Sequence, residues 1–339
     1  MEYRYIGKSG LRVSVIALGT MTFGSMTDKK EAFRIMDKAY DNGINFFDTA
    51  ELYPVPPDSK YAGLTEKIIG EWLKTKPRES IILASKVAGA SSGWFIPPIR
   101  YGLTAMDKFH IKKAIEGSLK RLNTDYIDLY QQHWPDTIVP KEVTMEAFDE
   151  LVKEGKVRYI GTSNDTAWGL TKSNEIARFK GYARFESIQN NFSILNPRFF
   201  DSLEEVCRNE QVSLLPYSPL GGGILSGKYN QKEIQQPARF LEYLKHPVKR
   251  VRVHAKKFYN EKTLKATEKF LEIAKKYQIH PVTLAIAYSK QFDFVASTII
   301  GVRNLNQLKP HLDAANLKLN REIMKDIVKL QKEIPYPMG

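Results

Sequence analysis

What this chain of 339 residues lacks narrows its chemistry before any motif is read. It has 1 cysteine, Cys207, so no intrachain disulfide can form, and a reducing, cytoplasmic setting is expected. Cys207 falls in a helix-like segment, where a small buried hydrophobe is its ordinary role. The 6 histidines show no His-x-x-x-His or His-Glu pairing at ligand spacing, and one cysteine is too few for structural zinc. No metal site is expected. No apolar run approaches the roughly 20 residues a membrane helix needs, and Met1-Glu2-Tyr3-Arg4-Tyr5 has no signal-peptide core. Acidic residues are short against basic ones, 38 against 51, for a formal charge of +13. The densest basic run, Lys245, Lys249, Arg250, Arg252, Lys256 and Lys257, has no interleaved stacking aromatics, so a solvated loop is expected there and no nucleic-acid site. Tyr243, beside it, is expected to be exposed. With no composition break to mark a linker, residues 1–339 read as one domain.

What the chain does have is a regular alternation of short apolar strands and helices. Tyr3–Ile6 and Leu11–Ser14 flank Gly7-Lys8-Ser9-Gly10 as a hairpin capping one end of the fold. Ile16–Leu18 is the first strand, stopping at Gly19-Thr20. The helix Asp28–Asn42 follows, with Phe33, Met36, Ala39 and Tyr40 on one face and Gly43 as its stop. Further strands are expected at Asn45–Asp48, Ile81–Ser85, Ile127–Tyr130, Val157–Gly161, Ser187–Gln189, Val212–Leu215 and Ala296–Ile300. Helices separate them, including Arg198–Asn209, and extra helices close the C-terminus. Eight such units predict an α/β fold, a (β/α)8 TIM barrel with an N-terminal β-hairpin cap. A doubly wound open sheet is the second choice, and the absence of Gly-x-Gly-x-x-Gly after the first strand counts against it. Long connections at Pro54–Gly63, Val87–Met106 and Gly221–Tyr259 follow strands and belong at the barrel mouth.

Ionisable residues recur where these strands run out: Asp48 with Tyr53 five residues on, Lys86, and His133. Singly, Asp48 reads as a strand-end cap, Tyr53 as packing, Lys86 as a surface lysine and His133 as a core histidine. Jointly they form a proton-transfer set, because a barrel gathers strand ends around one mouth. A lysine held against a phenol favours phenolate. At about 4 Å and an effective dielectric near 20, the attraction is roughly 4 kcal/mol, an upper bound of about three pKa units. The lysine needs a carboxylate to stay charged in a dry pocket, and Asp48 supplies one. His133 could then orient a carbonyl while hydride arrives from elsewhere.

Gly43-Ile44-Asn45-Phe46-Phe47-Asp48-Thr49-Ala50-Glu51-Leu52-Tyr53, with Ser85-Lys86 and Gln132-His133, resembles the catalytic segments of the aldo-keto reductase superfamily. The similarity runs from Tyr3 to Asn304. Glu51-Leu52-Tyr53-Pro54-Val55-Pro56-Pro57 and Gln132-His133-Trp134-Pro135 look most like the bacterial Tas-type members. The resemblance implies a TIM barrel, NADPH/NADP+ as cofactor, a small-molecule carbonyl substrate, and Asp48, Tyr53, Lys86 and His133 as a tetrad with Tyr53 as proton donor. It implies nicotinamide contacts from Ser163, Asn164 and Gln189, with Tyr217 stacked beneath the ring. Gly19, Thr20, Met21 and Asp48 would also face the cofactor. Ser218, Pro219, Leu220, Gly222 and Lys228 would wrap the pyrophosphate, and Gly301, Arg303, Gln307 and His311 would hold the adenosine end. Arg303 offers a bidentate fork to a 2′-phosphate, and backbone amides with a lysine suit phosphate oxygens.

The chain departs from that pattern at His311, which stands after Pro310 where an asparagine often meets the adenine. The run Pro54–Gly63 is also longer than the family's usual turn. Trp94, Phe95 and Trp134, on mouth loops, are candidates to line a substrate pocket with Tyr53 and His133. The alternative function is a nucleotide-sensing regulatory subunit like the potassium-channel β-subunits, which Gly7–Ser14 also resembles. Those tend to lack the histidine that His133 supplies here.

Overall fold

The computed structural model describes residues 1–91, 99–100, 104–234 and 238–338. β1 (Tyr3–Tyr5) and β2 (Arg12–Ser14) pair antiparallel as the expected hairpin. The eight parallel strands are β3 (Ile16–Gly19), β4 (Phe46–Asp48), β5 (Ile82–Val87), β6 (Ile127–Gln132), β7 (Val157–Ser163), β8 (Phe185–Gln189), β9 (Ser213–Leu214) and β10 (Thr298–Ile300). They pair in chain order from β3 to β9, with β10 beside β3. Leu214 also bridges Val295, and the Ala296 N–H donates to the Leu214 carbonyl at 3.1 Å. These bonds carry the sheet round from β9 toward β10, as a (β/α)8 barrel requires.

Helices α1 (Lys29–Asp41), α2 (Leu64–Leu73), α3 (Lys108–Leu122), α4 (Lys141–Lys153), α5 (Ala167–Lys180) and α6 (Leu203–Glu210) each follow one strand. α1 starts where the Asp28 carboxylate accepts the Glu31 N–H at 2.9 Å. It buries Ala32, Ile35, Met36 and Ala39, so its inward face is turned slightly from the expected one, and Phe33 and Tyr40 are only half-buried. Strand and helix layers meet in a dry shell, with Phe47 4.9 Å from Trp72 between ring centres. Inside the barrel, Ile6, Leu11 and Val13 of the hairpin join Ala17, Phe46, Ala84, Leu129 and Leu215 in a second apolar cluster. The hairpin therefore plugs the N-terminal end of the barrel. Polar strand ends are left to face the opposite mouth.

The largest difference from expectation is the connection after β9. The basic stretch is not a loop: α7 (Arg239–Leu244) and α8 (Lys249–Phe258) are helices, followed by α9 (Glu261–Lys276) and α10 (Pro281–Lys290). Val251, Ala255 and Phe258 recur at helical spacing and are buried, a pattern hidden among the cations. Tyr243 is 7% exposed, packed on Phe240 rather than solvated. Arg198–Asp201 is a separate 3-10 turn ahead of α6. α11 (Leu308–Asp313) and α12 (Arg321–Glu333) end the chain. Among the described residues no helix is long and apolar enough to cross a membrane.

Candidate active site

β4 ends at Asp48, where the Thr20 N–H and hydroxyl both donate to its carbonyl, at 3.0 and 2.9 Å. Beyond it the chain rides along β5: Thr49 N–H bonds Ala84, Glu51 N–H bonds Lys86, and Tyr53 N–H turns back to Ala50. That path brings the phenol over the β5 lysine. Lys86 is fully buried and donates to Asp48 Oδ2 at 2.6 Å and to the Thr49 carbonyl at 2.8 Å. The other Asp48 oxygen accepts Gln189 Nε2 at 2.8 Å and Gln131 Nε2 at 3.5 Å. Gln189, implied as a nicotinamide contact, is thus already committed to the carboxylate through one amide hydrogen. Sequence reasoning did not foresee that bond.

Tyr53 lies 9% exposed at the mouth, its ring centre 5.1 Å from Lys86 Nζ. The His133 ring meets it edge-on at 5.6 Å, and Trp134 lies tilted against His133 at 4.8 Å. The expected acidification of the phenol is not found. Burial, and then the Asp48 carboxylate, hold the Tyr53 proton more firmly than in an ordinary phenol. Lys86 meanwhile donates to Asp48 at hydrogen-bond distance. Burial pulls the Lys86 pKa down while Asp48 pulls it back up. Burial, then the Lys86 charge, push His133 well below the ordinary imidazole range, so it is neutral at pH 7. His133 Nδ1 is buried and has no hydrogen-bond partner among the described residues.

Around this centre the Ser163 hydroxyl donates to the Gln189 carbonyl at 2.8 Å. Asn164, at φ 55°, donates to the His133 carbonyl at 2.8 Å and accepts the Tyr217 hydroxyl at 2.7 Å. Trp134 donates to the Ala90 carbonyl at 2.9 Å. It packs with Leu52, Ala88 and Ile99 into a small apolar cluster beside the phenol. Glu51, 2% exposed, accepts the Ala88 N–H at 2.7 Å and pairs with Arg100, pinning the described ends of that mouth loop. Trp94 and Phe95 lie outside the described residues.

A second cluster forms where the β9 and β10 connections meet. Gly221, Gly222 and Gly223 all have positive φ, in a turn of Gly221–Ser226. A β-carbon on Gly222 would stand 2.5 Å from the Phe240 ring and 2.7 Å from Arg239. Arg239 donates to the Gly222 carbonyl at 2.9 Å. Lys228, Arg239 and Arg303 gather here with Glu242 as the acidic neighbour. Burial first, then Arg303 and Arg239, lower the Lys228 pKa to about 8. Arg303 Nη2 is buried and has no hydrogen-bond partner among the described residues. Neighbouring cations, a guanidinium nitrogen without a partner among the described residues and a glycine turn together could hold phosphate groups. Sequence reasoning named Lys228 and Arg303 and missed Arg239, which nothing local ties to them.

The remaining candidates are less gathered. Thr20 is buried and Met21 half-buried beside Asp48. Gln307 spends its side-chain oxygen on the Arg303 N–H at 2.9 Å. His311 is 4% exposed, with Nδ1 2.7 Å from the Gln307 carbonyl and Nε2 buried with no partner among the described residues. Gly301 is exposed, with nothing within 4 Å of where a β-carbon would stand. Among the described residues no group of three or more His, Cys, Asp or Glu could hold a metal ion.

Residues 15–332 match the model of the Aldo/keto reductase family. Protein tas of Escherichia coli K12 is 37% identical, over 99% of this chain and 99% of its own length. The uncharacterized oxidoreductase YrpG of Bacillus subtilis is 36% identical, covering 96% of this chain and 94% of its own. Norsolorinic acid reductase stcV of Emericella nidulans is 29% identical, over 98% and 81%.

Proposed function

The chain belongs to the aldo/keto reductase family, and from that footing we propose that it is an NADPH-dependent reductase converting aldehyde or ketone carbonyls to alcohols. The family makes it an oxidoreductase of the kind that uses a nicotinamide dinucleotide on small carbonyl compounds. We place this activity in a single cytoplasmic domain. The observation that carries it is the convergence of Tyr53, Lys86, Asp48 and His133 at one barrel mouth, in a chain that also gathers Lys228, Arg239 and Arg303.

A bound dinucleotide supplies a hydride to the carbonyl carbon; the protein must supply the proton to the oxygen. Tyr53 is the donor, since it is protonated at neutral pH and stands at the mouth. Donation leaves a phenolate, and this is where Lys86 acts. Its attraction for a new anion at about 4 Å is roughly 4 kcal/mol at an effective dielectric near 20. That figure is an upper bound, because Asp48 already pairs with Lys86; burial and Asp48 outweigh it in the free protein, so the phenol keeps its proton until a carbonyl oxygen takes it. Asp48, held by Gln189 and Gln131, keeps the lysine charged and in place. His133, neutral, orients the carbonyl oxygen by hydrogen bonding without adding charge. Leu52, Ala88, Ile99 and Trp134 give the carbonyl's substituent an apolar wall.

The cation cluster supports NADPH over NADH. Among the described residues Glu242 is the acidic group beside Lys228 and Arg303, so an additional phosphate finds positive charge already gathered for it. The test is NADPH oxidation across a panel of aldehydes, ketones and quinones, with Tyr53→Phe as control. Turnover of at least one class is expected, falling about 10²–10⁴-fold in Tyr53→Phe, the usual size of general acid catalysis. No turnover across the panel, by a protein that binds NADPH, would count against the reductase reading.

A further inference from the structure

The positive charge of the cofactor cradle continues outward onto α8. That helix packs on the Gly221–Ser226 turn through Phe258, which stacks on Phe240 at 5.1 Å, and Phe240 in turn lies against Gly222. From Lys245 to Asn260 the chain holds Lys245, Lys249, Arg250, Arg252, Lys256 and Lys257 and no aspartate or glutamate. Lys249, Lys256 and Lys257 are exposed. Among the described residues none of those three has an ion-pair partner, whereas lysines on other helices do: Lys112 with Glu154, Lys269 with Glu333, Lys276 with Asp326. Arg252 and Lys256 stand four residues apart, a like-charge spacing that costs a helix a few tenths of a kcal/mol. His254, facing inward on the same helix, is lowered to about 4 by burial and then by Arg239, Lys257 and Arg250. Charges of the inner cluster and of the outer face therefore act on one side chain. The basic face of α8 thus adjoins the cluster through the Phe258–Phe240 contact, with Glu242 the acidic residue beside the cluster.

We propose that the exposed basic face of α8 is an encounter surface for the dinucleotide, drawing its phosphates toward the Lys228–Arg239–Arg303 cradle. It acts on the rate of arrival and not on the bound complex. The inference rests on the NADPH reading above. A cleft with charge of one sign raises the arrival rate of an opposite charge by about 10–10³-fold, falling steeply with ionic strength. The Debye length of about 8 Å at physiological salt still lets neighbouring side chains act together. Lys249, Lys256 and Lys257 lie on the approach and not in the cradle. Their removal should therefore leave dissociation and turnover as they are.

The experiment is stopped-flow NADPH binding at low and high NaCl, followed by fluorescence. It compares wild type, the triple variant Lys249→Gln/Lys256→Gln/Lys257→Gln, the same positions changed to Glu, and a control with equal charge loss on α3, Lys108→Gln/Lys112→Gln/Lys113→Gln. At low salt kon should fall about 5–10-fold in the Gln variant and further in the Glu variant, within the range expected of steering. The salt dependence should become shallower, the difference should vanish at high salt, and koff and kcat should stay within about twofold. The α3 control should keep wild-type kon. An unchanged kon at low salt, a loss carried by koff, or an equal fall in the control would overturn the inference while leaving the NADPH reading intact. Failure of wild type to bind NADPH at all would overturn both.

Discussion

Lys86 and Lys228 serve the same barrel mouth in opposite surroundings. Lys86 is fully buried, with Asp48 at 2.6 Å, the Thr49 carbonyl at 2.8 Å, and two glutamine amides on the far side of its carboxylate partner. Lys228 shares its corner with Arg303 and Arg239. Burial lowers both pKa values. Asp48 then opposes the fall at Lys86, whereas the two arginines deepen it at Lys228, to about 8. A charge paired inside the protein is fixed before substrate arrives, which is what pre-organised catalysis needs. A charge left among its own kind is unsatisfied until an anion binds, so the free protein bears the repulsion and the complex is relieved of it.

Removing a lysine or arginine from each cluster should therefore have very different effects on stability. Lys86→Met leaves Asp48 buried without its ion. We expect a loss of about 3–5 kcal/mol in denaturant unfolding, with a large fall in kcat for any molecules that stay folded. Arg303→Ala should leave unfolding nearly unchanged and raise the NADPH Kd by about 30-fold, or some 2 kcal/mol. NADH binding, measured in the same titration, should move less than threefold if Arg303 serves the extra phosphate. Equal losses for both nucleotides would place Arg303 elsewhere on the dinucleotide.

Titration sharpens the same contrast. Free Lys228 loses its proton near pH 8, and a bound phosphate raises that value, so the complex holds more protons than its parts. NADPH affinity is thus full below about pH 8 and declines as pH rises through it. A weakening of about tenfold between pH 7 and 9.5 is expected in wild type, and much less in Lys228→Met. The smallest effect is on the unliganded protein. Lys228 is held at about 8 in the folded chain against 10.5 ordinarily, so its charge opposes folding below pH 8 and the penalty fades as pH rises toward 10.5. Lys228→Met should stabilise the free protein at pH 7 by on the order of 1 kcal/mol, discounted for partial solvent access. A destabilised variant would mean that the lysine's contact with Tyr229, 5.0 Å from the ring centre, outweighs the repulsion.

Much of this was legible in the chain because barrels are built from local repeats. Each strand is a short apolar run, and the polar residue ending it sits at the mouth whatever the distant contacts are. Asp48, Lys86 and His133 follow directly, and Tyr53 follows from the turn after β4. What escaped depends on contacts between remote segments. Arg239 lies in a connection whose helices were masked by lysines, and only the fold sets it beside Arg303. Gln189 reaches Asp48 across the barrel, a pairing no spacing encodes. The direction of the Tyr53 shift escaped because it is set first by burial and then by Asp48, and burial is a property of the folded mouth that no local spacing encodes. His311, 4% exposed, is set by the packing of α10 against α11.

The division of labour between the clusters is tested most directly by measuring kcat and NADPH Kd together for Tyr53→Phe on the best substrate. The account predicts a kcat lowered by at least about 100-fold, with Kd within about twofold of wild type. A kcat within threefold of wild type, or a loss that appears mainly in Kd, would contradict it.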